Sequence, residues 1–239
     1  MSLTSPSPPI TDLPTREQVL EVASEIFAEA GYRSATIREI CHRARVNVAA
    51  INYHFGDKQA LYLEVLQRAH RLSITQYPVD LGLPSNAIPE QRLAAFIRSF
   101  LLRIFSSGPG ARHGKLMARE MINPTGALDT VVRDNIQPMA ANLLQILRDL
   151  LGPEVPVETA RLCAMSVVSQ VLFYHHCRPV VSRMFPALKF GPEDIEQLAT
   201  HITRFSLAAI RQLAKSAPAP DGTGIPRPKL NPRAKWRRA

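Results

Sequence analysis

TIREICHRARVNVAAINYHFGDK, residues 36–58, is the stretch of sequence that decides the fold. Thr36 with Glu39 forms a capping box, and Asn47 is a good N-cap, so the pattern predicts two short helices joined by a tight turn. Asp57 is expected to cap a third helix that continues to about Gln76. The second short helix offers small and polar side chains outward, an arrangement that suits insertion into the major groove of DNA. A sequence-specific DNA-binding protein is therefore the first hypothesis.

The outward-facing residues predict how such a helix would read DNA. Val48 and Ala49 are small enough to meet thymine methyl groups, and Asn52 can pair with adenine through two hydrogen bonds. Other polar residues would bind phosphates, which set the register but carry no sequence information. The predicted DNA-binding residues are Thr36, Arg38, Asn47, Val48, Ala49, Asn52, Tyr53, His54 and Lys58. The alternative is a three-helix bundle with ordinary capping and no DNA affinity.

Composition agrees with a helical protein but only weakly with DNA binding. Of the 239 residues, 46% are apolar and 6% aromatic, and the formal net charge is +9. Residues 217–239 hold six Lys and Arg against one Asp, a net +5, so the rest of the chain carries only about +4. We expect residues 1–14 to form a disordered Pro/Ser arm and residues 217–239 a disordered basic tail. The tail either adds non-specific phosphate contacts or is a solvated segment without a role.

Helical periodicity fills the region between arm and tail, and no strand-like alternation is present. Helix 1 is expected to begin at Thr15, to end at Gly31, and to carry a solvated acidic stripe of Glu17, Glu21, Glu25 and Glu29. Pro138 is expected to kink or split one of the later helices. Those later helices are predicted at about 89–106, 111–122, 125–151, 157–176 and 192–215, with one extra turn between Pro179 and Pro186.

Residues 15 to about 71 resemble the N-terminal domain of the TetR/AcrR family of bacterial transcriptional regulators. Three strings carry the resemblance: A-S-E-I-F-A-E-A-G-Y at 23–32, T-I-R-E-I at 36–40, and V-A-A-I-N-Y-H-F-G-D-K-Q-A-L-Y at 48–62. Two positions depart from the family pattern, because Arg45 stands where glycine is common and Asn52 where tyrosine is common. The strings A-R-E-M-I-N-P-T-G-A at 118–127 and I-Q-P at 136–138 are also similar to the CecR-like branch.

The resemblance implies an all-α fold with a helix-turn-helix DNA-binding domain at 15–60. A long helix would join it to a helical effector-binding and dimerisation domain at 61–216. It further implies a homodimer through the helices near 157–176 and 192–215, a double-stranded DNA operator of near-palindromic sequence, and a small-molecule effector. The implied activity is ligand-responsive transcriptional regulation, most simply repression that an apolar effector relieves, with a link to efflux or drug-resistance genes.

The effector pocket is expected inside the C-terminal bundle. Candidate lining residues are Phe96, Phe100, Ile104, Met117, Met121, Met139, Phe173 and Tyr174, since Met and aromatic side chains adapt to varied apolar ligands. Each of these residues has ordinary core packing as its alternative. Arg119 and Glu120 are expected to form either a buried polar pair near the pocket or a surface ion pair.

Other functions find little support in the sequence. G-x-S-x-G, H-E-x-x-H and a glycine-rich phosphate loop are all missing, so no catalytic site or cofactor is predicted. His175, His176 and Cys177 are adjacent and point in different directions on a helix, so a metal site is not expected. Three cysteines and the lack of a leader or membrane span favour a cytoplasmic protein without a membrane partner. The competing hypotheses are a helical ligand-binding protein or enzyme without operator binding, and an activator or nucleoid-type binder driven by the tail.

Overall fold

The protein, known here from a computed structural model, is described over residues 15–105 and 111–215, and all regular elements in those ranges are helical. The predicted all-α class is confirmed. The predicted arm at 1–14 and tail at 217–239 lie outside the described residues. The helices are α1 Thr15–Ser34, α2 Ile37–Ala44, α3 Val48–Phe55, α4 Lys58–Gln76, α5 Pro89–Phe105, α6 Ala111–Ile122, α7 Leu128–Val131, α8 Gln137–Leu151, α9 Val157–His176, α10 Arg178–Met184 and α11 Pro192–Lys215, with a π-helical turn at Val132–Ile136 between α7 and α8.

Side-chain caps fix the starts of α2, α3 and α4. The Thr36 hydroxyl accepts from the Glu39 amide at 3.1 Å, and the Asn47 side-chain oxygen accepts from the Ala50 amide at 2.8 Å. The Asp57 carboxylate accepts from the amide three residues later, also at 2.8 Å. Each bond satisfies a backbone donor that the first helical turn leaves unpaired. The three predicted caps are therefore confirmed.

Helix α1 breaks at Gly31, which has φ 79° and ψ 168°, and then continues for one more turn to Ser34. Residues with a side chain rarely adopt such a positive φ, so glycine suits this position. Helical spacing predicts an apolar face on α1 made of Val19, Ala23, Ile26, Phe27 and Ala30, and the first four of these residues are buried. The prediction was wrong for the last member of that face, Ala30, which is exposed because it lies directly before the break.

The segment predicted as one helix over 125–151 is divided in three. Helix α7 begins only at Leu128, the π-helical turn follows, and α8 carries Pro138 at its second position. Proline has no amide hydrogen and its ring clashes with the carbonyl four residues earlier, so the hydrogen-bond ladder shifts register just before it. Pro138 thus splits the helix, as its chemistry predicts.

Two apolar cores organise the chain. The first joins α1–α4 and also includes Leu116 of α6, Ala127 before α7, and Val131. The second lies among α5, α8, α9, α10 and α11. Because α6 and α7 contribute to the first core, the packing of the DNA-binding unit extends into the predicted effector domain. Across the described ranges, each helix is too short or too polar to span a bilayer.

Candidate functional site

Helix α3 separates a buried side from an exposed one. Ile51 is fully buried and anchors the helix on the first core. Val48 and Tyr53 are 49% and 85% exposed, and Ala49 and Asn52 are also exposed. Residues three and four apart share a face of a helix, so these four side chains form one outward surface. This surface, Val48, Ala49, Asn52 and Tyr53, is called the reading face below.

The turn between α2 and α3 keeps the geometry that glycine usually supplies. Arg45 has φ 52° and ψ 42°, and its amide donates to the carbonyls of Cys41 and His42. The Val46 amide donates to the Cys41 carbonyl at 3.0 Å. These bonds close the end of α2 as in a Schellman-type cap. The departure from the family pattern at this position therefore changes the side chain and leaves the turn in place.

The remaining predicted DNA-binding residues lie around the reading face and differ in how exposed their side chains are. Thr36, Arg38 and Asn47 are exposed, although Thr36 and Asn47 already use their oxygens as caps. His54 and Lys58 are half-buried. The sequence hypothesis did not include His42, which is exposed on α2 beside Arg43.

Lys58 is held at the start of α4 by an aromatic ring. Its ammonium lies 4.5 Å from the centre of the Tyr32 ring, within cation–π range. Burial lowers the pKa of Lys58, because desolvation disfavours the charged form. The contact restricts the lysine to a fixed place next to α3, so its charge is positioned before any phosphate arrives.

The acidic stripe of α1 is solvated at Glu29, as its spacing predicts, but not at Glu21 and Glu25. Glu21 and Glu25 both accept from Arg112 of α6, and Glu21 also pairs with Arg68 of α4 at 3.0 Å. Glu25 pairs in addition with Arg43 of α2 at 3.0 Å. Burial alone would raise the pKa of Glu21, but Arg112 and Arg68 outweigh it and the net shift is downward. The partners are remote in sequence, so helical spacing could not reveal them.

Arg119 and Glu120 do not pair with each other. The Arg119 guanidinium donates to the carbonyl oxygens of Ala28, at 2.9 Å, and of Glu29, both just before the break at Gly31 in α1. Glu120 points the other way and is 1% exposed. Both predicted arrangements of this pair were therefore wrong, because adjacent residues on α6 face different helices.

Glu120 instead ties α6 to α4. Its carboxylate accepts from the Tyr62 hydroxyl at 3.0 Å and from the Thr125 amide at 2.9 Å. Gly126 follows, and a methyl group there would lie 2.5 Å from the Gln59 side-chain nitrogen. The string at 118–127 thus forms the seam between the effector domain and the DNA-binding unit, called the α6 seam below.

The predicted pocket residues fall into three groups. Phe96 is buried in the second core, and Phe100, Ile104 and Tyr174 pack against that core. Met139 is half-buried and its sulfur lies 2.8 Å from an Arg103 nitrogen. Met117 packs against the first core instead, while Met121 and Phe173 are 43% and 54% exposed. The structure therefore does not bring these last three residues, Met117, Met121 and Phe173, to a common interior.

The two helices predicted to form the dimer differ in how much of their apolar faces remains free. On α9, Leu162, Met165 and Phe173 are 58%, 61% and 54% exposed. On α11 only the C-terminal half is open, with Phe205 at 61% and Leu213 at 40%. The N-terminal half of the apolar face of α11 is buried inside the chain, in the second core, and consists of Ile195, Leu198 and Ile202.

Both the N-terminal and the C-terminal part of the chain match known protein families. Residues 19–65 match the family described as bacterial regulatory proteins, tetR family. Residues 89–210 match the family described as HTH-type transcriptional dual regulator CecR, C-terminal domain. The chain belongs to the TetR family, in its CecR-like branch. The resemblance predicted from the sequence is thereby confirmed.

Individual relatives of this TetR-family protein agree with that assignment. It is 26% identical to the HTH-type transcriptional dual regulator CecR of Shigella flexneri over 210 residues, which cover 84% of this chain and 93% of the relative. The TetR-family regulator PfmR of Thermus thermophilus has a similar fold, with TM-score 0.58, 20% identity and coverage of 82% and 96%. AibR in complex with isovaleryl coenzyme A and operator DNA also shares the fold, with TM-score 0.61, 18% identity and coverage of 80% and 97%. Membership of this family makes the chain a ligand-responsive DNA-binding regulator and not an enzyme.

Proposed function

We propose that the protein is a repressor that binds a near-palindromic operator as a homodimer and releases it when a small apolar effector binds the C-terminal bundle. The reading face is the observation that supports this proposal, because it presents four exposed side chains on α3 while Ile51 anchors the helix in the first core. Control of efflux or drug-resistance genes is the proposed biological setting, by analogy with the CecR-like branch. An activator role is the second candidate, since the relative CecR is named a dual regulator.

The proposed DNA contacts follow from chemistry at each position. Asn52 can pair with adenine, and Val48 and Ala49 can meet thymine methyl groups. Tyr53, Arg38 and the other predicted residues around the face would bind phosphates. The N-terminus of α2 behind Thr36 adds partial positive charge that favours a phosphate.

Operator binding is tested by removing exposed side chains that lie outside both apolar cores. We expect Asn52→Ala with Tyr53→Ala to weaken binding by about 100-fold or more, since one good base contact is worth about 1–3 kcal/mol and loss of the Tyr53 phosphate contact weakens binding further. The assay is a gel shift with DNA selected by the full-length protein from random sequence. Asn142→Ala is the matched control, an exposed asparagine on α8. Equal binding by the double variant and the control would remove the DNA-reading role from α3.

The proposed dimer rests on the exposed apolar residues of α9 and α11. Side chains such as Met165 and Phe205 form part of a surface that a second copy could bury across a twofold axis. We expect Met165→Asp with Phe205→Asp to give a monomer in sedimentation and to lose operator affinity. Ile122→Asp is the control, because Ile122 is 71% exposed but lies on α6. A variant that stays dimeric would place the interface elsewhere.

The α6 seam is the proposed route from effector to DNA. Helix α4 begins next to α3 at Lys58, packs in the first core, and in its second half carries His70 against His113 of α6. An effector that shifts α6 or α7 would act on α4 through Glu120 and Tyr62. A 100-fold release requires the effector to bind the DNA-incompetent shape about 2.7 kcal/mol more tightly.

A further inference from the structure

Three of the four buried polar atoms that lack a hydrogen-bond partner in the described residues belong to neighbouring side chains. The fourth belongs to Asn135, about one helical turn before Met139, which contacts Arg103. Within the described residues the four atoms are His70 Nδ1, Arg103 Nη2, His113 Nδ1 and Asn135 Nδ2. They come from four different elements: α4, α5, α6 and the π-helical turn. Because buried polar groups in folded proteins are almost always paired, a concentration of unpaired groups requires an explanation. These four residues are called the polar cluster below.

Arg103 contributes the positive charge of the polar cluster. Its side chain is among the largest fully buried ones, with 1% exposed. Its Nε donates to the Ser99 carbonyl of its own helix at 3.3 Å, and Nη1 reaches only the Met139 sulfur, a weak acceptor. In the described ranges, no carboxylate lies within ion-pair distance of the guanidinium. A buried cation without an anion is strongly unfavourable, so the site is set up for an anion from outside the chain.

The two histidines stay neutral beside this arginine. Their rings lie 5.2 Å apart, and His113 is 7% exposed. Desolvation first, and then the charge of Arg103, lowers the pKa of His70 to about 4; Arg71 adds to the effect. The pKa of His113 falls to about 3 through desolvation, His70 and Arg103. Desolvation also lowers the pKa of Arg103, to about 10, so the arginine remains charged at neutral pH. The cluster therefore carries one net positive charge.

The residues around Arg103 indicate the chemical character of the rest of the ligand. The Phe100 ring lies 5.4 Å from the guanidinium carbon, and Met139 covers its other nitrogen. Asn135 lies four residues before Met139, in a π-helical turn of the kind that often occurs at functional sites. An apolar body could pack on Phe100 and Met139 while a headgroup oxygen accepts from the free Nη2 of Arg103. A carboxylate would make this a charge-assisted hydrogen bond, with its second oxygen left for another free donor such as the Asn135 amide.

We propose that the polar cluster is the headgroup site for the effector, and that the effector is an apolar carboxylic acid bound as its anion. This inference rests on the proposed function and deepens it, since the effector becomes amphipathic instead of purely apolar. His70 belongs to α4, whose first residue is Lys58 beside the reading face. Twelve residues of helix separate the two, about 18 Å along the axis. Headgroup binding at His70 would thus act directly on the helix that carries the DNA-binding unit.

The test measures carboxylate binding by the full-length protein without DNA. The probes are acetate, butanoate, octanoate and benzoate at constant ionic strength, each paired with its alcohol: ethanol, butanol, octanol and benzyl alcohol. Binding is followed by thermal shift and by the imidazole nitrogen signals of selectively labelled histidines. We expect at least one carboxylate to bind and shift the signals of His70 and His113, and its alcohol to do so much more weakly.

Arginine variants separate the site from a general effect of the acid. Arg103→Met is expected to weaken carboxylate binding about 30-fold or more, and Arg103→Lys to weaken it less because the charge is retained. Arg98→Met is the matched control on α5, since Arg98 is half-exposed and paired with Glu196 at 2.7 Å. If Arg103→Met does not fold, the histidine signals of the unmodified protein and the lysine variant still decide.

Two results would overturn the proposal. One is that none of the four acids shifts the signals of His70 and His113. The other is that Arg103→Lys and Arg103→Met bind the acid as tightly as Arg98→Met. Operator binding in the absence of acid is measured separately by gel shift. A protein that binds the acid but not the operator would contradict the proposed function and leave this inference standing. A protein that binds the operator but not the acid would contradict only this inference.

Discussion

The hydrogen bond from Tyr62 to Glu120 across the α6 seam gives a prediction whose size follows from the structure. Both side chains are 1% exposed, and the donor oxygen lies 3.0 Å from the carboxylate. Tyr62→Phe removes only the hydroxyl, because the ring packing on Phe27 and Tyr32, with centroids 4.9 Å away in each case, is retained. A hydrogen bond to a charged group contributes about 1.5–3 kcal/mol. We expect the free energy of unfolding to fall by that amount.

The assay for this prediction is urea unfolding followed by circular dichroism. Tyr53→Phe is the matched control, since Tyr53 is 85% exposed and its hydroxyl faces solvent; its effect should stay within about 0.5 kcal/mol. Glu120→Gln and the double variant complete a cycle, in which the coupling between residues 62 and 120 should exceed about 1 kcal/mol. If Tyr62→Phe is no more destabilising than Tyr53→Phe, the α6 seam is not held by this bond, and its proposed role in transmission fails with it.

Three further predictions concern charge and backbone. His70 and His113 have pKa values lowered to about 4 and about 3, so below pH 6.5 the unfolded chain binds more protons than the folded one. The free energy of unfolding should therefore fall by roughly 2 kcal/mol per histidine from pH 7 to pH 5. Chemical unfolding at both pH values should show a smaller fall for His113→Gln than for the unmodified protein. Arg45→Gly should raise the unfolding free energy by up to about 1 kcal/mol because the left-handed turn then carries no side-chain penalty, and unchanged or lower stability would contradict the strain. Arg112→Ala should destabilise by about 1–2 kcal/mol and raise the pKa of Glu21, which carboxyl NMR titration can follow; an unmoved Glu21 titration would exclude the ion pair.

Local chemistry explains which features the sequence could predict. The caps at Thr36, Asn47 and Asp57 involve residues only three positions apart, so their hydrogen bonds are readable from short strings. The outward residues of α3 follow from helical periodicity around the buried Ile51. The left-handed turn at Arg45 follows less directly, because the side chain there argues against the conformation that the backbone adopts.

Features that depend on distant contacts could not be predicted in the same way. The partners of Glu21 include Arg112, which is 91 residues away in the sequence. Helical spacing alone therefore predicts a solvated stripe on α1, and only the tertiary fold reveals the ion pairs. Arg103 occurs in an amphipathic helix where arginine is ordinarily exposed, and only the packing of α4, α6 and α8 around α5 buries it. The exposure of Phe173, predicted to line a pocket, likewise depends on how α9 is oriented in the bundle.

The shared packing of the first core has a consequence for building chimeric regulators. Exchanging DNA-binding units between relatives at residue 60 would treat them as separable modules. Yet Leu116, Ala127 and Val131 fill that unit from the other side, and the Gln59 side chain lies close against Gly126. A transplanted unit would meet foreign residues at all four positions. A functional hybrid should therefore carry residues 116–131 along with 15–76, so that specificity can be exchanged only as two segments that are distant in the gene.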